Sequence, residues 1–345
     1  MTSQIRLDVP LADLTTMRVG GLARDLVEVH TSEELIEAVS SADTEGIPLL
    51  VLAGGSNVVI ADEGFAGRVV LVRSRGVEPD VTDCYGAWVT VAAGEPWSDL
   101  VELAVQEEWV GIEALAGIPG SAGATPVQNV GAYGQEVAST IARVEVYDRQ
   151  TRRREIIPVA DCGFSYRTSR FKGSDRYIIL SVVFQFKRGD LSEAIIYPEL
   201  AQTLGAEIGA RVPMTKLRDA VLELRASKGM VLDEADHDTW SSGSFFLNPV
   251  VPTDFALPAD APTWATDEGV KVSAAWLIQQ AGFDRGFTLA GSRAAISSKH
   301  TLAITNRGDA TTREVLDLAR AIKVGVQTTF DITLRSEPTL VGCEI

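Results

Sequence analysis

Apolar and polar positions in the first part of the chain alternate between strand-like and helix-like spacings. Short apolar stretches bounded by polar or glycine residues predict strands at 25–30, 48–53, 69–72 and 88–92. Thr31-Ser-Glu-Glu34 has the spacing of a capping box and predicts a helix to about Ala42. Residues 97–109 also have helical spacing. Alternating strands and helices of this kind favour a mixed fold.

The remainder of the chain continues this mixture. Met214 to Arg225 is predicted to be a helix, with Leu217, Val221 and Leu224 at core spacing. Residues 229–240 are acidic and predicted to form a loop. Further strands are predicted at 143–147, 153–159, 177–186, 301–305 and 328–334, and further helices at 272–280 and 311–322. The strand at 177–186 alternates in part, so we expect it to be half-buried. The pattern as a whole indicates an α+β fold with at least one nucleotide-binding half.

The segment 111–134 fits neither a helix nor a strand. Its sequence is GIEALAGIPGSAGATPVQNVGAYG. Glycine and proline are costly inside helices and strands, and the only charged residue here is Glu113. Such a segment suits a place where backbone lies against a large, flat, rigid ligand. A buried, turn-rich connector is the alternative, although long structureless segments in compact domains usually serve function.

A second glycine-rich loop, Gly54-Gly55-Ser56-Asn57, follows directly on the strand predicted at 48–53. Glycines let backbone N–H groups turn toward phosphate oxygens, and Ser56 and Asn57 add side-chain donors. The loop matches neither the dinucleotide fingerprint nor a P-loop. Two such loops predict the two ends of one extended ligand, and a dinucleotide with a flat ring fits.

Composition narrows the class of protein. The chain has 345 residues, room for two or three domains, and a net charge of −16, which disfavours nucleic-acid binding. No apolar run approaches the roughly 18 residues that cross a bilayer, and the acidic start is not a secretory signal. The cysteines and histidines are too few and scattered for a disulfide framework or a metal site: Cys84, Cys162, Cys343, His30, His237 and His300. We therefore expect a cytoplasmic protein with no metal and no membrane partner.

Both glycine-rich loops belong to a longer series of motifs. In chain order these are TMRVGG (16–21), AGGSN (53–57), GIPGSAGATPVQNVGAYG (117–134), SYRTSRFK (165–172), GSFFLNP (243–249) and LRSEPTLVG (334–342). Together they span nearly the whole chain, which strongly resembles the UDP-N-acetylenolpyruvoylglucosamine reductase (MurB) family. Tyr197, in IIYPEL, looks like the substrate-loop tyrosine of the family's first subtype.

The resemblance implies a flavin enzyme of peptidoglycan synthesis. It implies non-covalent FAD, NADPH as co-substrate, and reduction of UDP-N-acetylglucosamine enolpyruvate to UDP-N-acetylmuramate. The implied fold is α+β, with a two-part FAD-binding region of the vanillyl-alcohol-oxidase type and a C-terminal α+β substrate-binding domain. We expect FAD-binding subdomains at 1–68 and 69–210, a substrate domain at 211–335 and a tail at 336–345 that returns to the active site. We also expect a monomer.

The expected chemistry needs a cation and an acid. Adding hydride to an enol ether leaves negative charge next to the substrate carboxylate, so donors on those oxygens and a proton source are required. By similarity, Arg167 is the catalytic arginine, Ser244 the proton donor and Glu337 the third catalytic residue. Without the motifs, Arg167 would be interpreted as a surface ion pair and Ser244 as a turn residue. A bare carboxylate would repel the developing charge, so we expect Glu337 to be protonated or offset by a cation.

The resemblance also implies binding residues. Residues 118–125 are expected to line the isoalloxazine and pyrophosphate, with 128–134 packed behind them. The expected cofactor-binding residues are Gly54, Gly55, Ser56, Asn57, Ile118, Pro119, Gly120, Ser121, Gly123, Ala124, Thr125 and Arg225. The expected substrate contacts are Tyr166, Tyr197, Lys228, Asn248 and His300. For His300, a loop-end hydrogen bond is an equal alternative.

Two other functions remain open on sequence alone. One is a flavin-dependent alcohol or sugar oxidase of the same fold. Many such oxidases tether the flavin through His or Cys, and neither lies near Ser56-Asn57. The other is a non-catalytic flavin- or sugar-nucleotide-binding protein, against which the presence of Arg167, Ser244 and Glu337 argues.

Overall fold

The computed structural model describes residues 4–82 and 86–345, so Cys84 lies outside the described residues. Its six helices are α1 Ser32–Glu45, α2 Trp97–Gln106, α3 Pro198–Leu204, α4 Met214–Ser227, α5 Ala274–Gln280 and α6 Thr312–Phe330. Its strands are β1 Ile5–Pro10, β2 Leu22–Val29, β3 Leu49–Leu52, β4 Val58–Ile60, β5 Phe65–Val72, β6 Val77–Thr82, β7 Gly86–Ala92, β8 Trp109–Val110, β9 Gly131–Ala132, β10 Gln135–Glu136, β11 Ile141–Asp148, β12 Arg153–Pro158, β13 Tyr177–Arg188, β14 Ser241–Ser244, β15 Val250–Val251, β16 Thr263–Thr266, β17 Gly269–Val272, β18 Ala294–Ile296, β19 Ala303–Asn306 and β20 Thr339–Val341.

These elements form two compact units, each assembled from three pieces of chain. The first unit comprises residues 4–9, 23–54 and 66–226, apart from 83–85. The second comprises 10–22, 55–65 and 227–345. The predicted domain ranges 1–68, 69–210, 211–335 and 336–345 stay predictions. In the described part of the chain, every helix is too short or too polar to span a bilayer.

The first unit contains two larger sheets. One has the strand order β1-β2-β5-β3, in which β3 and β5 are parallel. The other is antiparallel, with the order β12-β11-β13-β7-β6 and β8 paired to β13. Trp97 of α2 and Phe184 of β13 are fully buried in the core of this unit.

The second unit has smaller sheets around α5 and α6. Its sheets are β14-β19-β18, β15-β17-β16 and the parallel pair β20-β4. Phe245, Phe246 and Ile304 are buried in its core, together with Met17 and Val59 from the early pieces of chain. Strand β4 and residues 10–22 are therefore integral to a unit that is otherwise C-terminal.

Most predicted elements are confirmed, with shifts of a few residues at their ends. The helix predicted at 97–109 ends at Gln106, because Glu108 takes a left-handed conformation with φ 58°. Thr31 caps α1 by accepting the Glu34 N–H at 3.1 Å, as predicted. The Glu34 carboxylate accepts from the His30 N–H at 2.7 Å, so the second half of the predicted capping box is wrong.

Two further expectations are wrong. Strand β13 is buried along most of its length rather than half-buried, because it lies between β7 and β11 in the sheet and its faces are covered. The strand predicted at 328–334 does not form. Helix α6 runs to Phe330 with Ile322 and Val326 on its buried face, and it ends at Asp331 with φ 57°. Core packing of this amphipathic face outweighs the β-propensity of Thr328 and Thr329.

Candidate functional site

Gly54, the first residue of the loop 54–57, lies against the glycine-rich segment 111–134 within the first unit. Gly54 follows β3, and a Cβ atom built on it would lie 2.7 Å from the Gly120 Cα. A Cβ built on Gly123 would lie 2.6 Å from the Cβ of Ala93. The Trp97 N–H at the start of α2 donates to the Gly120 carbonyl at 3.1 Å. The glycines are therefore required for close backbone approach, which fixes the segment against β3 and α2.

The segment 111–134 contains two short 3₁₀ turns, Glu113–Leu115 and Ala122–Gln128, with Pro126 inside the second, and the two-residue strand β9. This confirms that it is neither an ordinary helix nor an extended strand. Ser121, which precedes the second turn, is 4% exposed, and its Oγ has no hydrogen-bond partner among the described residues. Leaving a buried hydroxyl unpaired costs about 1–3 kcal/mol, so this atom marks a place where a ligand oxygen or nitrogen fits.

Glu113, the one charge in the segment, is completely buried. Its carboxylate accepts the N–H groups of Gly111 at 2.7 Å and Glu193 at 2.8 Å. Glu113 thereby holds the start of the glycine-rich segment to the stretch that leads to Tyr197. This role of Glu113 was not predicted, although a lone charge in such a segment is a signal that the sequence offers.

Gly55, Ser56 and Asn57 belong to the second unit. Gly55 has φ 59°, and a Cβ on it would lie 2.0 Å from the Leu14 carbonyl oxygen. Thr16 donates its N–H to the Gly55 carbonyl at 3.1 Å. Asn57 donates its side-chain amide to the Glu337 carbonyl at 3.5 Å, and its own carbonyl accepts the Thr339 N–H at 3.0 Å. The loop is thus tied to the segment that carries Glu337.

The second unit also brings Glu337 close to Ser244. The Glu337 N–H donates to the carbonyl of Phe245, the residue after Ser244, at 2.9 Å. Ser244 ends β14, pairs with Ala303 of β19 and is half-buried. Ser242 Oγ is buried and has no hydrogen-bond partner among the described residues. Ser242 lies two positions before the predicted proton donor and was not among the predicted site residues.

Arg167 lies in the first unit, against the glycine-rich segment. Its guanidinium donates to the carbonyl of Asn129 at 3.4 Å and to the carbonyl of Gly131. It also lies over the Tyr166 ring, 5.6 Å from the centroid. These contacts hold the guanidinium plane in a defined orientation beside the segment predicted to bind the cofactor.

Tyr197 and Arg225 gather around Tyr133, which is in the two-residue turn between β9 and β10. The Tyr133 and Tyr197 rings meet edge to face at 5.5 Å. Burial raises the pKa of Tyr133 to about 12, against an opposing effect of the Arg225 charge. Arg225 is 7% exposed, and burial lowers the pKa of its guanidinium. A desolvated cation beside Tyr133 is suited to an anionic ligand, whereas the sequence predicted only a packing role for Tyr133.

The other predicted substrate contacts lie in the second unit, whereas Tyr166 is in the first. Asn248 accepts the Ala274 N–H at 2.9 Å, so its Oδ1 is used at the start of α5. The His300 N–H donates to Ser297 Oγ at 3.1 Å, and the His300 carbonyl accepts the Ala303 N–H at 3.1 Å. These main-chain bonds shape the turn before β19. Lys228 follows α4 and is half-buried.

Two parts of the chain match known domain families. Residues 23–155 match the FAD binding domain, and residues 234–341 match the C-terminal domain of UDP-N-acetylenolpyruvoylglucosamine reductase. A UDP-N-acetylenolpyruvoylglucosamine reductase of Salinispora arenicola is 52% identical over 100% of this chain and 98% of that protein. The chain belongs to the UDP-N-acetylenolpyruvoylglucosamine reductase family. A relative from Cutibacterium acnes is 51% identical over 98% of this chain and 90% of its own length.

A solved structure of this reductase family agrees with the fold. The enzyme from Thermus caldophilus covers 98% of this chain and 98% of its own, with a TM-score of 0.67 and 26% identity. The predicted fold class is confirmed: an α+β chain with a flavoenzyme-type FAD-binding region and a C-terminal domain of this family. The predicted flavin cofactor is likewise confirmed by the FAD binding domain, and the protein is an FAD-containing oxidoreductase.

Proposed function

We propose that this protein reduces UDP-N-acetylglucosamine enolpyruvate to UDP-N-acetylmuramate, a step of peptidoglycan synthesis, with NADPH as the reductant. The observation that carries the proposal is the 52% identity to a UDP-N-acetylenolpyruvoylglucosamine reductase over the whole chain. The presence of Arg167, Ser244 and Glu337 at the motif positions supports it.

The residues of the two glycine-rich loops suit FAD. The close approach of Gly54 and Gly120 leaves backbone N–H groups without intervening side chains, and Ser121 Oγ offers an unused polar atom. We infer that residues 54–57 and 118–125 hold the cofactor, with Arg225 on a phosphate. When bound, FAD supplies the hydride that it receives from NADPH.

Arg167 stabilises the charge that develops on the substrate. As hydride adds to the methylene carbon, the electron pair moves onto the neighbouring carbon and into the carboxylate. A guanidinium already fixed by the carbonyls of Asn129 and Gly131 can meet a carboxylate oxygen without reorganising. This preorganisation is the physical reason to assign the arginine rather than a flexible lysine.

Ser244 donates the proton that completes the reduction. Its hydroxyl proton goes to the carbon beside the carboxylate, and the serine regains a proton from its surroundings. A serine hydroxyl is a poor acid, so the neighbours must stabilise the alkoxide or return the proton in step. Glu337, anchored through the Phe245 carbonyl, is the neighbour that we assign to this task.

Tyr166, Tyr197, Lys228, Asn248 and His300 remain proposed substrate contacts. FAD, NADPH and the sugar nucleotide are all anionic, while the chain carries a net charge of −16. Local cations must therefore overcome a repulsive background. A cytoplasmic location and a monomeric state complete the proposal. The low cysteine content supports the former, and analytical ultracentrifugation would check the latter.

Anaerobic half-reactions test the proposed function. NADPH should bleach the flavin absorbance, and addition of the enolpyruvyl sugar nucleotide should restore it without oxygen. Because each half-reaction proceeds without the other reactant, initial rates should give parallel lines in double-reciprocal plots. Fast reoxidation by air with release of hydrogen peroxide would instead support an oxidase. Purified protein that binds no FAD would support the non-catalytic alternative.

A further inference from the structure

Arg167 has an unusual backbone conformation. It takes φ 51°, in the left-handed region that non-glycine residues rarely adopt. It lies in a tight turn closed by two main-chain bonds between Ser165 and Thr168, at 3.1 and 3.2 Å. Strained residues of this kind persist only when the surrounding structure determines them strongly, and they cluster at functional sites.

Asn129 is the residue of the glycine-rich segment that reaches this turn. It is 2% exposed and has φ 46°, a conformation that asparagine tolerates. Its amide nitrogen donates to the Ser165 carbonyl at 3.2 Å, two residues before Arg167. Its main-chain carbonyl accepts from the Arg167 guanidinium at 3.4 Å. Asn129 therefore contacts both the backbone of the turn and the arginine head group.

The remaining side-chain bonds of Asn129 are to residues 136 and 138, close to it in sequence. The amide nitrogen also donates to Glu136 Oε2 at 2.8 Å, and the amide oxygen accepts the Ala138 N–H at 3.1 Å. With both amide atoms engaged, the side chain has a single orientation. The bond to Ser165 is the one through which this fixed amide acts on the turn.

We propose that Asn129 is a positioning residue for Arg167. Because Asn129 belongs to the segment expected to bind the cofactor and contacts the turn, the position of that segment fixes the position of the catalytic guanidinium. This inference rests on the proposed function, because it presumes that Arg167 acts on the substrate. It assigns to Asn129 a specific contribution to reduction of the enolpyruvyl group, beyond a role in folding of the segment.

The turn has supports that do not involve Asn129. Ser169 Oγ donates to the Val127 carbonyl at 2.7 Å, and Lys172 Nζ donates to the Arg167 carbonyl at 3.1 Å. Loss of the Asn129 amide should therefore shift the arginine without unfolding the turn. Ser169→Ala provides a matched control, because it removes the bonds of the Ser169 hydroxyl to Val127 and Phe171, next to the turn, without touching Arg167.

Asn129→Asp is the first test variant. Aspartate has the size of asparagine and tolerates the same left-handed backbone conformation. It places an acceptor oxygen against the Ser165 carbonyl and the Glu136 carboxylate, which are themselves acceptors. We expect reoxidation of the reduced flavin by the enolpyruvyl sugar nucleotide to slow at least about tenfold, because a misplaced arginine loses stabilisation of the developing charge. FAD content and the rate of flavin reduction by NADPH should stay within about threefold of wild type, and Ser169→Ala should reoxidise normally.

A double-mutant cycle separates positioning from general stability. If Asn129 acts through Arg167, Asn129→Asp should slow reoxidation little further in an Arg167→Ala background. Independent, multiplicative losses would overturn the inference, as would normal reoxidation in Asn129→Asp when Arg167→Ala is slow. Normal reoxidation in Arg167→Ala would remove Arg167 from the mechanism and overturn the inference with it. Reduced wild-type protein that the enolpyruvyl sugar nucleotide does not reoxidise would instead refute the proposed function. If Asn129→Asp loses FAD, Asn129→Gly serves in its place, because glycine adopts φ 46° and adds no charge.

Discussion

Gly54 and Gly120 approach so closely that the glycine-rich segment has no room for a side chain at their contact. The Cβ of an alanine at position 54 would lie 2.7 Å from Gly120 Cα and 3.2 Å from its carbonyl carbon. Both are backbone atoms, so a flexible side chain cannot move aside to relieve the clash. A side chain at position 54 would therefore push the two backbone segments apart.

We expect Gly54→Ala to lower the free energy of unfolding by about 1–3 kcal/mol and to reduce the amount of FAD retained on purification. Urea denaturation and the ratio of flavin to protein absorbance measure the two effects. Gly189→Ala is the control, because the nearest atom to its Cβ is a Val110 methyl group at 3.8 Å. Equal FAD retention in both variants would contradict the assigned contact.

Glu337→Gln tests the proposed third catalytic residue. Glutamine keeps the shape and the main-chain bond to Phe245 but cannot exchange a proton. We expect kcat to fall at least about tenfold, with the Kd for the sugar nucleotide within about threefold of wild type. Stopped-flow reoxidation and equilibrium titration provide the two quantities. Glu344→Gln, at an exposed position, should behave as wild type, and wild-type turnover in Glu337→Gln would remove Glu337 from the mechanism.

At the element scale, strand ends and helix caps fix the scaffold that holds these residues. Helix α6 begins with a complete capping box, in which Thr311 accepts the Glu314 N–H at 3.2 Å and the Glu314 carboxylate accepts the Thr311 N–H at 2.8 Å. Strand β11 ends at Asp148, which is fully buried and bonded to Arg176, just before β13. That ion pair joins the ends of two central strands.

The Asp148 carboxylate provides a prediction of pH dependence. Hydrogen bonds from Arg176 hold the pKa of Asp148 at about 2, below its ordinary 3.8. A group with a lowered folded-state pKa stabilises the fold above its unfolded pKa and loses that contribution as the pH falls. Asp148→Asn should therefore be less stable than wild type near pH 5, and the difference should shrink between about pH 4 and 2.

Urea denaturation of both proteins across that pH range checks this expectation. Asp175→Asn is a useful control, because the Asp175 side chain is almost fully exposed and its ion pair with Arg149 should contribute little. A stability difference between Asp148→Asn and wild type that is constant from pH 5 to about pH 2 would contradict the assignment.

At the scale of the whole molecule, chain order and folded unit do not coincide. The second unit needs residues 10–22 and 55–65, which precede most of the first unit in sequence. Met17, Val19 and Val59 are buried in its core, and β4 pairs with β20 in the C-terminal region. In a fragment limited to 227–345, the apolar surface that packs against Met17, Val19 and Val59 would be exposed to water.

We accordingly expect the fragment 227–345 to lack cooperative unfolding and dispersed amide resonances. The same fragment, with 10–22 and 55–65 joined through flexible linkers, should regain both, because it restores the buried apolar contacts. Thermal denaturation followed by circular dichroism, with amide NMR spectra, distinguishes the two. Cooperative unfolding of 227–345 alone would show that the early pieces are dispensable.

The sequence predicted those helices and strands whose ends and spacing depend on residues that are neighbours in the chain. The Thr31 cap, the apolar spacing of α4 and the ends of β3 and β12 follow from neighbouring residues, and the structure has them close to the predicted positions. The motifs also identified the family, and with it FAD. These features depend on side-chain periodicity and backbone preference, which are present in any short window of sequence.

Only the tertiary structure decided features that depend on distant partners. The burial of β13 follows from its place between β7 and β11, and the extension of α6 over 328–330 follows from core packing. The contacts of Asn129 with Ser165, of Glu113 with Glu193 and of Tyr133 with Tyr197 join residues far apart in sequence. Sequence alone thus determined the local elements, the family and the flavin cofactor, whereas long-range packing decided how each segment is held, because burial and hydrogen-bond partners are properties of the folded chain.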